Sequence, residues 1–251
     1  PAGDAVAVDP LLVPLRQRLR EPDIERFRAL GRDAAVALET AIVEAAHDWS
    51  ELEVAGTIAA ALKASGIEGP VILVGSRERA EHYRHLVPTG AIVGGGFAAS
   101  ITATRHGLHA SMTRAVSFGP LPQNLEERFN SIREVDRALL SASRPGVPMT
   151  ALLEVAAGAY AGAGYYDEWK EHHQGGTTGY AGREAFAVPG SAYRLEAGMA
   201  VAWNPTIPGA KSEDTFLVAE GGLEWLTCAA DSDWPLSQGH GKLTRPAVRV
   251  L

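Results

Sequence analysis

The stretch Glu196–Val218, EAGMAVAWNPTIPGAKSEDTFLV, decides how the chain is organised, because it joins two apolar runs around a tight turn. Met199 to Trp203 has the unbroken apolar character of a strand covered on both faces. Pro205 to Gly209 is turn chemistry, and Asp214 to Val218 begins a second run. Pairing these two strands brings Asn204 and Glu213 to neighbouring strand ends.

Upstream of this stretch, Leu125–Ala142 and Thr150–Ala163 show helical spacing, separated by the Arg-Pro-Gly-Val-Pro sequence at 144–148, which cannot continue a helix. Before them, Ala91–Thr104 and Leu108–Phe118 are rich in small and β-branched residues. They read as a hairpin or as adjacent central strands, with Gly94 to Gly96 allowing a bend. A phosphate loop would need a helix and a lysine after these glycines, and neither follows. Arg77–Thr89, RERAEHYRHLVPT, holds three arginines and two histidines in thirteen residues, and its plain interpretation is a solvated charged loop. It follows a short strand at Val71–Val74. Pro22–Asp48 spaces Ile24, Phe27, Leu30, Ala34, Leu38 and Ile42 three to four apart, which predicts a long amphipathic helix. Ser50 and Glu53 form a capping box that opens a second helix from Glu51 to near Gly66. Pro1–Pro10 is small and polar; residues 1–15 are expected to be a lead-in and 16–251 a single domain. Two helices followed by strands occur twice, which suggests an α+β fold with an internal pseudo-twofold.

The 251 residues suffice for one large domain or two small ones, and 46% hydrophobic with 21% charged residues is ordinary for a globular protein. A net charge of -7 argues against a sequence-independent grip on nucleic acid or on an anionic membrane surface, both of which need a basic patch. Cys228 is the single cysteine, so neither an intrachain disulfide nor a cysteine-built zinc site can form, and a reducing, cytoplasmic setting is expected. Cys228 itself reads as a small buried apolar residue. No apolar run reaches the roughly 20 residues of a membrane span.

Three segments carry a resemblance to the pita-bread metallopeptidases, the group of methionine aminopeptidase, proline aminopeptidase, prolidase and creatinase. GMAVAWNP and KSED resemble the family's GM(V/A)xxxEP and R-x-E-D segments, with Asn204 and Glu213 at the glutamate positions. GLHASMTRAVSFG at Gly107–Gly119 resembles G-Y-x-S-D-x-T-R-T-x-x-x-G, with Ser111 at one metal-binding aspartate and Ser100 near the other. HHQGGTTGY at His172–Tyr180 resembles H-G-x-x-H-x-x-G, with His172 at the substrate-facing histidine and Gly176 at the metal-binding one. The resemblance covers about Arg16 to Val218 and implies two pseudo-twofold αβ halves around a curved, mainly antiparallel sheet. It implies a site between the halves and a homodimer.

Of the metal ligands that the resemblance implies, this matching leaves only Glu213. Serine and glycine cannot offset the mutual repulsion of two divalent ions, so no metal and no other cofactor is expected. Creatinase offers a metal-free precedent, with a histidine in an H-N-P-V-T segment acting on a C–N bond. His85 in His-Leu-Val-Pro-Thr, 85–89, occupies the corresponding place. His85 is therefore the candidate general acid or base, with Glu213 to orient it and His172 as a further catalytic group. Ser111, His109, Asn204, Arg105, Arg114 and Gly176 are candidate substrate-binding residues, and Arg183 is another candidate carboxylate holder. Tyr160, Tyr165, Tyr166 and Trp169 could wall the pocket.

The first reading is a metal-independent, creatinase-like hydrolase or lyase acting on a C–N bond of a small amide, amidine or amino-acid derivative. The second is a catalytically silent pseudo-peptidase that binds a small molecule or peptide, and the third an active Xaa-Pro-type metallo-aminopeptidase. In the first a small-molecule substrate is the expected partner; neither nucleic acid nor membrane is expected in any.

Overall fold

The computed structural model describes residues 9–237 and 243–251. Three helices, α1 (Asp9–Gln17), α2 (Glu21–Val43) and α3 (Glu51–Ala64), precede strand β1 (Glu68–Ser76). One short helix, α4 (Arg77–Ala80), leads to the strands β2 (Gly96–Arg105) and β3 (Leu108–Ser117). The pattern then repeats: helices α5 (Gln123–Ala142) and α6 (Met149–Gly162) precede β4 (Gly175–Thr178), β5 (Ala185–Phe186) and β6 (Ala200–Trp203). β7 (Thr206–Ile207) and β8 (Ala210–Lys211) form a small hairpin, and β9 (Asp214–Ala219) and β10 (Gly222–Trp225) follow. β11 (Leu236–Ser237), β12 (Arg245–Pro246) and β13 (Arg249–Val250) complete the described chain.

Two larger sheets result, a four-stranded one in the order β1-β2-β3-β13 and a five-stranded one in the order β10-β9-β6-β4-β5, beside the two-stranded pairs β7-β8 and β11-β12. Within them every pairing is antiparallel except β13 with β3. Each sheet has its own helix layer and core. α2 and α3 press Phe27, Leu38, Ile58 and Leu62 onto Ile101 and Met112 of the first sheet. α5 and α6 press Ile132, Leu139 and Leu152 onto Val201, Trp203 and Val218 of the second. The α+β class and the doubled helix-helix-sheet order expected from the sequence are both present.

The amphipathic spacing of α2 does its work, since Ile24, Phe27, Leu30, Ala34, Leu38 and Ile42 are all buried. The helix stops at Val43, short of Asp48, and the residues beyond it pair with the later chain, the carbonyls of His47 and Trp49 accepting from the amides of Gly94 and Val93. α3 opens on the Ser50–Glu53 capping box, with both reciprocal bonds made. The expected strand from Ala91 begins only at Gly96, after a turn in which Gly94 has φ of 54°. The lead-in expected over 1–15 lies outside the described residues up to position 8, and from Asp9 it is helix α1 instead. There the sequence DPLLVPLRQ buries Val13 against the domain while Leu11, Leu12 and Leu15 stay exposed.

The two sheets meet where β3 lies against the residues leading into β9. The amide of Thr113 donates to the carbonyl of Glu213 at 2.9 Å, and the Thr215 hydroxyl bridges the amide and carbonyl of Ser111 at 2.9 Å each. This seam carries the candidate site.

Candidate active site

His85 sits on the segment after α4, which is far from being a loose charged loop. The buried carboxylate of Glu51, at the start of α3, accepts from the Ser76 amide at 2.8 Å and from the Thr89 amide and hydroxyl at 2.9 and 2.8 Å. It also pairs with Arg79. One anion thus ties down both ends of 76–89. Two more arginine pairs hold the same region: Arg84 binds Glu168, and Arg128 of α5 binds Glu81.

The Arg84–Glu168 pair also brings in the second histidine segment, because Glu168 lies shortly before His172. Gln174 closes this turn by donating to the carbonyls of Trp169 and His172 at 2.9 and 2.6 Å. As a result His172 Nε2 lies 3.3 Å from His85 Nε2, and the His173 ring stacks on His172 with centroids 4.4 Å apart. Phe186 meets His173 edge-on at 5.1 Å. His172 is buried, whereas His85 and His173 are solvent-exposed. Partial desolvation, reinforced by the positive charge of Lys211, lowers the pKa of His85 below 6.5, and burial with Lys211 lowers that of His172 to about 3. Partial desolvation and Arg183 lower His173 to about 4. All three imidazoles are neutral at physiological pH, and a neutral imidazole can accept a proton.

Glu213 faces this cluster because side chains in an extended chain alternate. Lys211, Glu213 and Thr215 point to the site; Ser212 and Asp214 point away, into a buried network. Ser212 donates to Asp136 at 2.5 Å, and Asp214 pairs with Arg114 at 3.0 Å and Arg245 at 2.8 Å. Glu213 takes the Lys211 ammonium at 2.8 Å and the Arg183 guanidinium at 3.0 Å, and accepts from the Thr113 hydroxyl at 3.1 Å. Burial alone would raise its pKa, but the two cations prevail and hold it at about 2. Two hydroxyl pairs across the hairpin extend this polar face: Ser100 with Thr113 at 2.7 Å and Thr102 with Ser111 at 3.0 Å. Arg183 also reaches Ser111 at 3.4 Å.

The structure therefore brings together His85, His172, Glu213 and Ser111 from the sequence-derived set. Asn204 is buried one residue beyond β6, and its Oδ1 has no partner among the described residues. His109 shares the face of Ser111 and has a buried Nδ1 with no partner among the described residues. Arg105 and Arg114 are corrections. Arg105 lies at the far end of β2 and binds Asp33 at 2.8 Å, whereas Arg114 projects to the opposite face of β3 and is locked by Glu39 at 2.7 Å and Asp214. The aromatic wall is corrected too: Tyr160 is fully buried with its hydroxyl on the Thr206 backbone, and Tyr166 is exposed. Lys211 and His173 were missed as site residues. The signal was available for Lys211, which stands two positions before Glu213 and so shares its side of the strand.

A doubled αβ unit, each half a helix layer on its own sheet, with a cleft where the two sheets meet, is the architecture that the resemblance to the pita-bread family implies. The family model of metallopeptidase family M24 matches residues 25–220, and the chain belongs to that family. Among solved structures, it superposes on a dipeptidase PepE from Mycobacterium ulcerans with a TM-score of 0.81 at 22% identity, over 98% of this chain and 64% of that one. The prolidase from Pyrococcus furiosus gives 0.80 at 23% identity, over 88% and 68%. These two likenesses show the shared fold. An uncharacterized peptidase of Staphylococcus haemolyticus is 32% identical over 124 residues, 47% of this chain and 35% of the relative. The chain thus spans about a third of the length of the curated relatives that it matches. Family and fold are what these comparisons show of this chain.

The family name implies metal ions, and the donor set here does not fit a pair of them. Ser100, Ser111 and Asn204 offer neutral oxygens, and Glu213 is already neutralised by two fixed cations. A histidine has no room at Gly176, where a Cβ would fall 1.9 Å from the Ala185 carbonyl oxygen. The three imidazoles have ligand atoms within 4.8 Å of one another, but the positive charges of Lys211 and Arg183 near them oppose a dication.

Proposed function

We propose that this protein is a metal-independent hydrolase of a C–N bond in a small amide or amino-acid derivative, with His85 as general base. The observation that carries this reading is the neutral His85–His172 pair at 3.3 Å, set beside a Glu213 whose charge is taken up by Lys211 and Arg183. In this mechanism His85 takes a proton from water as it adds to the carbonyl-like carbon, and returns it to the leaving nitrogen. His172 holds the His85 ring through the Nε2 contact. The ammonium and guanidinium stabilise the negative charge that develops on the substrate oxygen, as preorganised cations do in a water-poor site. Residues 16–251 act as one catalytic domain in this proposal, which also includes a cytoplasmic homodimer; a free Cys228 agrees with a reducing compartment.

The test is a panel of dipeptides, including Xaa-Pro dipeptides, and small amides, assayed with and without chelator. Turnover that survives chelation and is abolished in His85→Ala supports the proposal; turnover that requires added manganese or zinc overturns it. A second reading, a silent binder of the same fold, is favoured by the locking of Glu213 between Lys211 at 2.8 Å and Arg183 at 3.0 Å, which leaves no free carboxylate beside the histidines among the described residues. It predicts a ligand that copurifies and no turnover on any member of the panel.

A further inference from the structure

A recess of ≈ 420 Å³ lies away from the seam, between the outer face of α2 and residues 229–233. Small-molecule sites run from roughly 300 to 1,000 Å³, so this one takes a compact ligand. It opens behind the first sheet: Thr113 faces Glu213 in the cleft, and the next residue, Arg114, points the other way, to Glu39 of the recess wall at 2.7 Å. Besides its buried stripe, α2 carries Arg32, Val36, Thr40 and Val43 one turn apart along this wall. Val36 is 49% exposed, and across the gap the loop offers Ala229 and Ala230, so the floor is apolar. The loop is fastened in place. Ser232 donates to Glu39, the Trp234 amide donates to Ser232 Oγ at 3.0 Å, and the Trp234 ring is buried in the core of the first sheet. Two charges on the walls are left short of partners. Among the described residues Arg32 pairs only with Asp33, at 3.2 Å, and Asp33 also serves Arg105 at 2.8 Å. Asp233 pairs with Arg249 at 2.9 Å, whereas Asp231 has no ion-pair partner among the described residues. Glu39 is no rival for a ligand, because Arg114 and Ser232 occupy its two oxygens.

We infer that this recess is a second small-molecule site, for an amino acid with a branched aliphatic side chain. Its carboxylate pairs with Arg32, its ammonium with Asp231, and its side chain covers Val36, Val43 and the two alanines. An undercompensated cation and an unpaired anion, on opposite walls of an apolar floor, are complementary to a zwitterion, and a ligand with one charge satisfies half of them. Moving the side chain from water onto the apolar floor supplies the driving force, and the two charges fix the orientation. Binding here needs no chemistry at the seam, which lies across the sheet.

Calorimetric titration of the full chain with leucine at neutral pH tests this, with isoamylamine and 4-methylpentanoate as the analogues that lack the carboxylate and the ammonium. Saturable leucine binding is expected, weaker by about tenfold or more in Arg32→Met and in Asp231→Asn, and abolished in Val36→Arg, which lays a long cationic side chain across the floor. Each analogue is expected to bind about tenfold or more weakly than leucine. All three substituted residues are exposed, so the variants keep the fold. No leucine binding to the unaltered protein, affinity unchanged in Val36→Arg or in both charge variants, or an analogue that binds as well as leucine overturns the inference. Amide resonances locate the ligand without any substitution: those of Val36, Thr40, Ala229 and Ala230 are expected to shift on leucine titration. Shifts confined to His85 and residues 172–176 would mean that leucine enters the cleft, and they overturn the second site while leaving the proposed reaction standing. Absence of hydrolysis on every substrate defeats that reaction and leaves the recess site standing.

Discussion

A general base must be unprotonated where it works, and His85, though solvent-exposed, meets that condition because partial desolvation and the nearby Lys211 outweigh the attraction of Glu213 for its protonated form. With its pKa below 6.5, the active form prevails at neutral pH and is lost only on the acid side. The kcat/KM profile is therefore expected to be flat near neutrality and to fall as pH drops below 6.5; a rise in activity on acidification would contradict the assignment. His172 makes a separate prediction about stability. Its folded pKa of about 3 lies below the ordinary 6.5, so the unfolded chain binds the proton more readily. The stabilisation is complete above pH 6.5 and drains away as pH falls towards 3. By pH 4 this one group costs on the order of 3 kcal/mol, and His172→Asn should flatten the urea midpoint between pH 7 and 4. Glu213→Gln leaves two buried cations without their carboxylate and is expected to destabilise the fold by roughly 3–5 kcal/mol. His85, His172 and Glu213 were legible as candidates from motif position. Glu51, which holds the His85 segment, was not, because its partners Ser76 and Thr89 lie far along the chain.

At the scale of the element, two-residue periodicity explains why a turn-like sequence became a charged site. Alternation sends 211, 213 and 215 to the cleft and 212 and 214 to the Arg114–Asp136–Arg245 network, so one short extended stretch serves two environments. Helix and strand identities could be read from spacing and caps, as with the capping box of α3 and the buried stripe of α2. What spacing did not show was the end of α2 at Val43, or the role of arginines whose partners sit on other elements. β4 offers a sharp test of close backbone approach. A Cβ on Gly176 would lie 1.9 Å from the Ala185 carbonyl oxygen, whereas one on Gly90 would meet nothing within 4 Å. Gly176→Ala should lower stability by about 1–3 kcal/mol or more through overpacking, and Gly90→Ala should leave it nearly unchanged. Parallel urea titrations of the two variants check this; equal midpoints would mean that β4 and β5 separate easily.

Across the whole molecule, the repeated helix-helix-sheet order was visible in the sequence, and it places the cleft where the two sheets meet. The chemistry of that seam was only half visible, because a missing ligand can be read from one position while its replacement cannot. If Ser100, Ser111 and Asn204 stand where the resemblance implies carboxylates, negative charge is removed there, and in the proposed reading Lys211 and Arg183, arriving from separate elements, supply positive charge that an ion would otherwise have carried. This exchange has a thermodynamic consequence. A protein stabilised by a bound ion gains about 4 kcal/mol when the free ion stands at a thousand times its dissociation constant, and chelation removes that gain. Cations fixed by covalent bonds to the chain cannot be chelated. Thermal unfolding is therefore expected to show the same midpoint before and after exhaustive dialysis against EDTA, and elemental analysis of the purified protein should find less than one equivalent of manganese, cobalt, iron or zinc. Two tightly held ions per chain, with a midpoint that falls on chelation, would mean that Glu213 gives up Lys211 and Arg183 for metal and that the charge exchange across the seam is wrong.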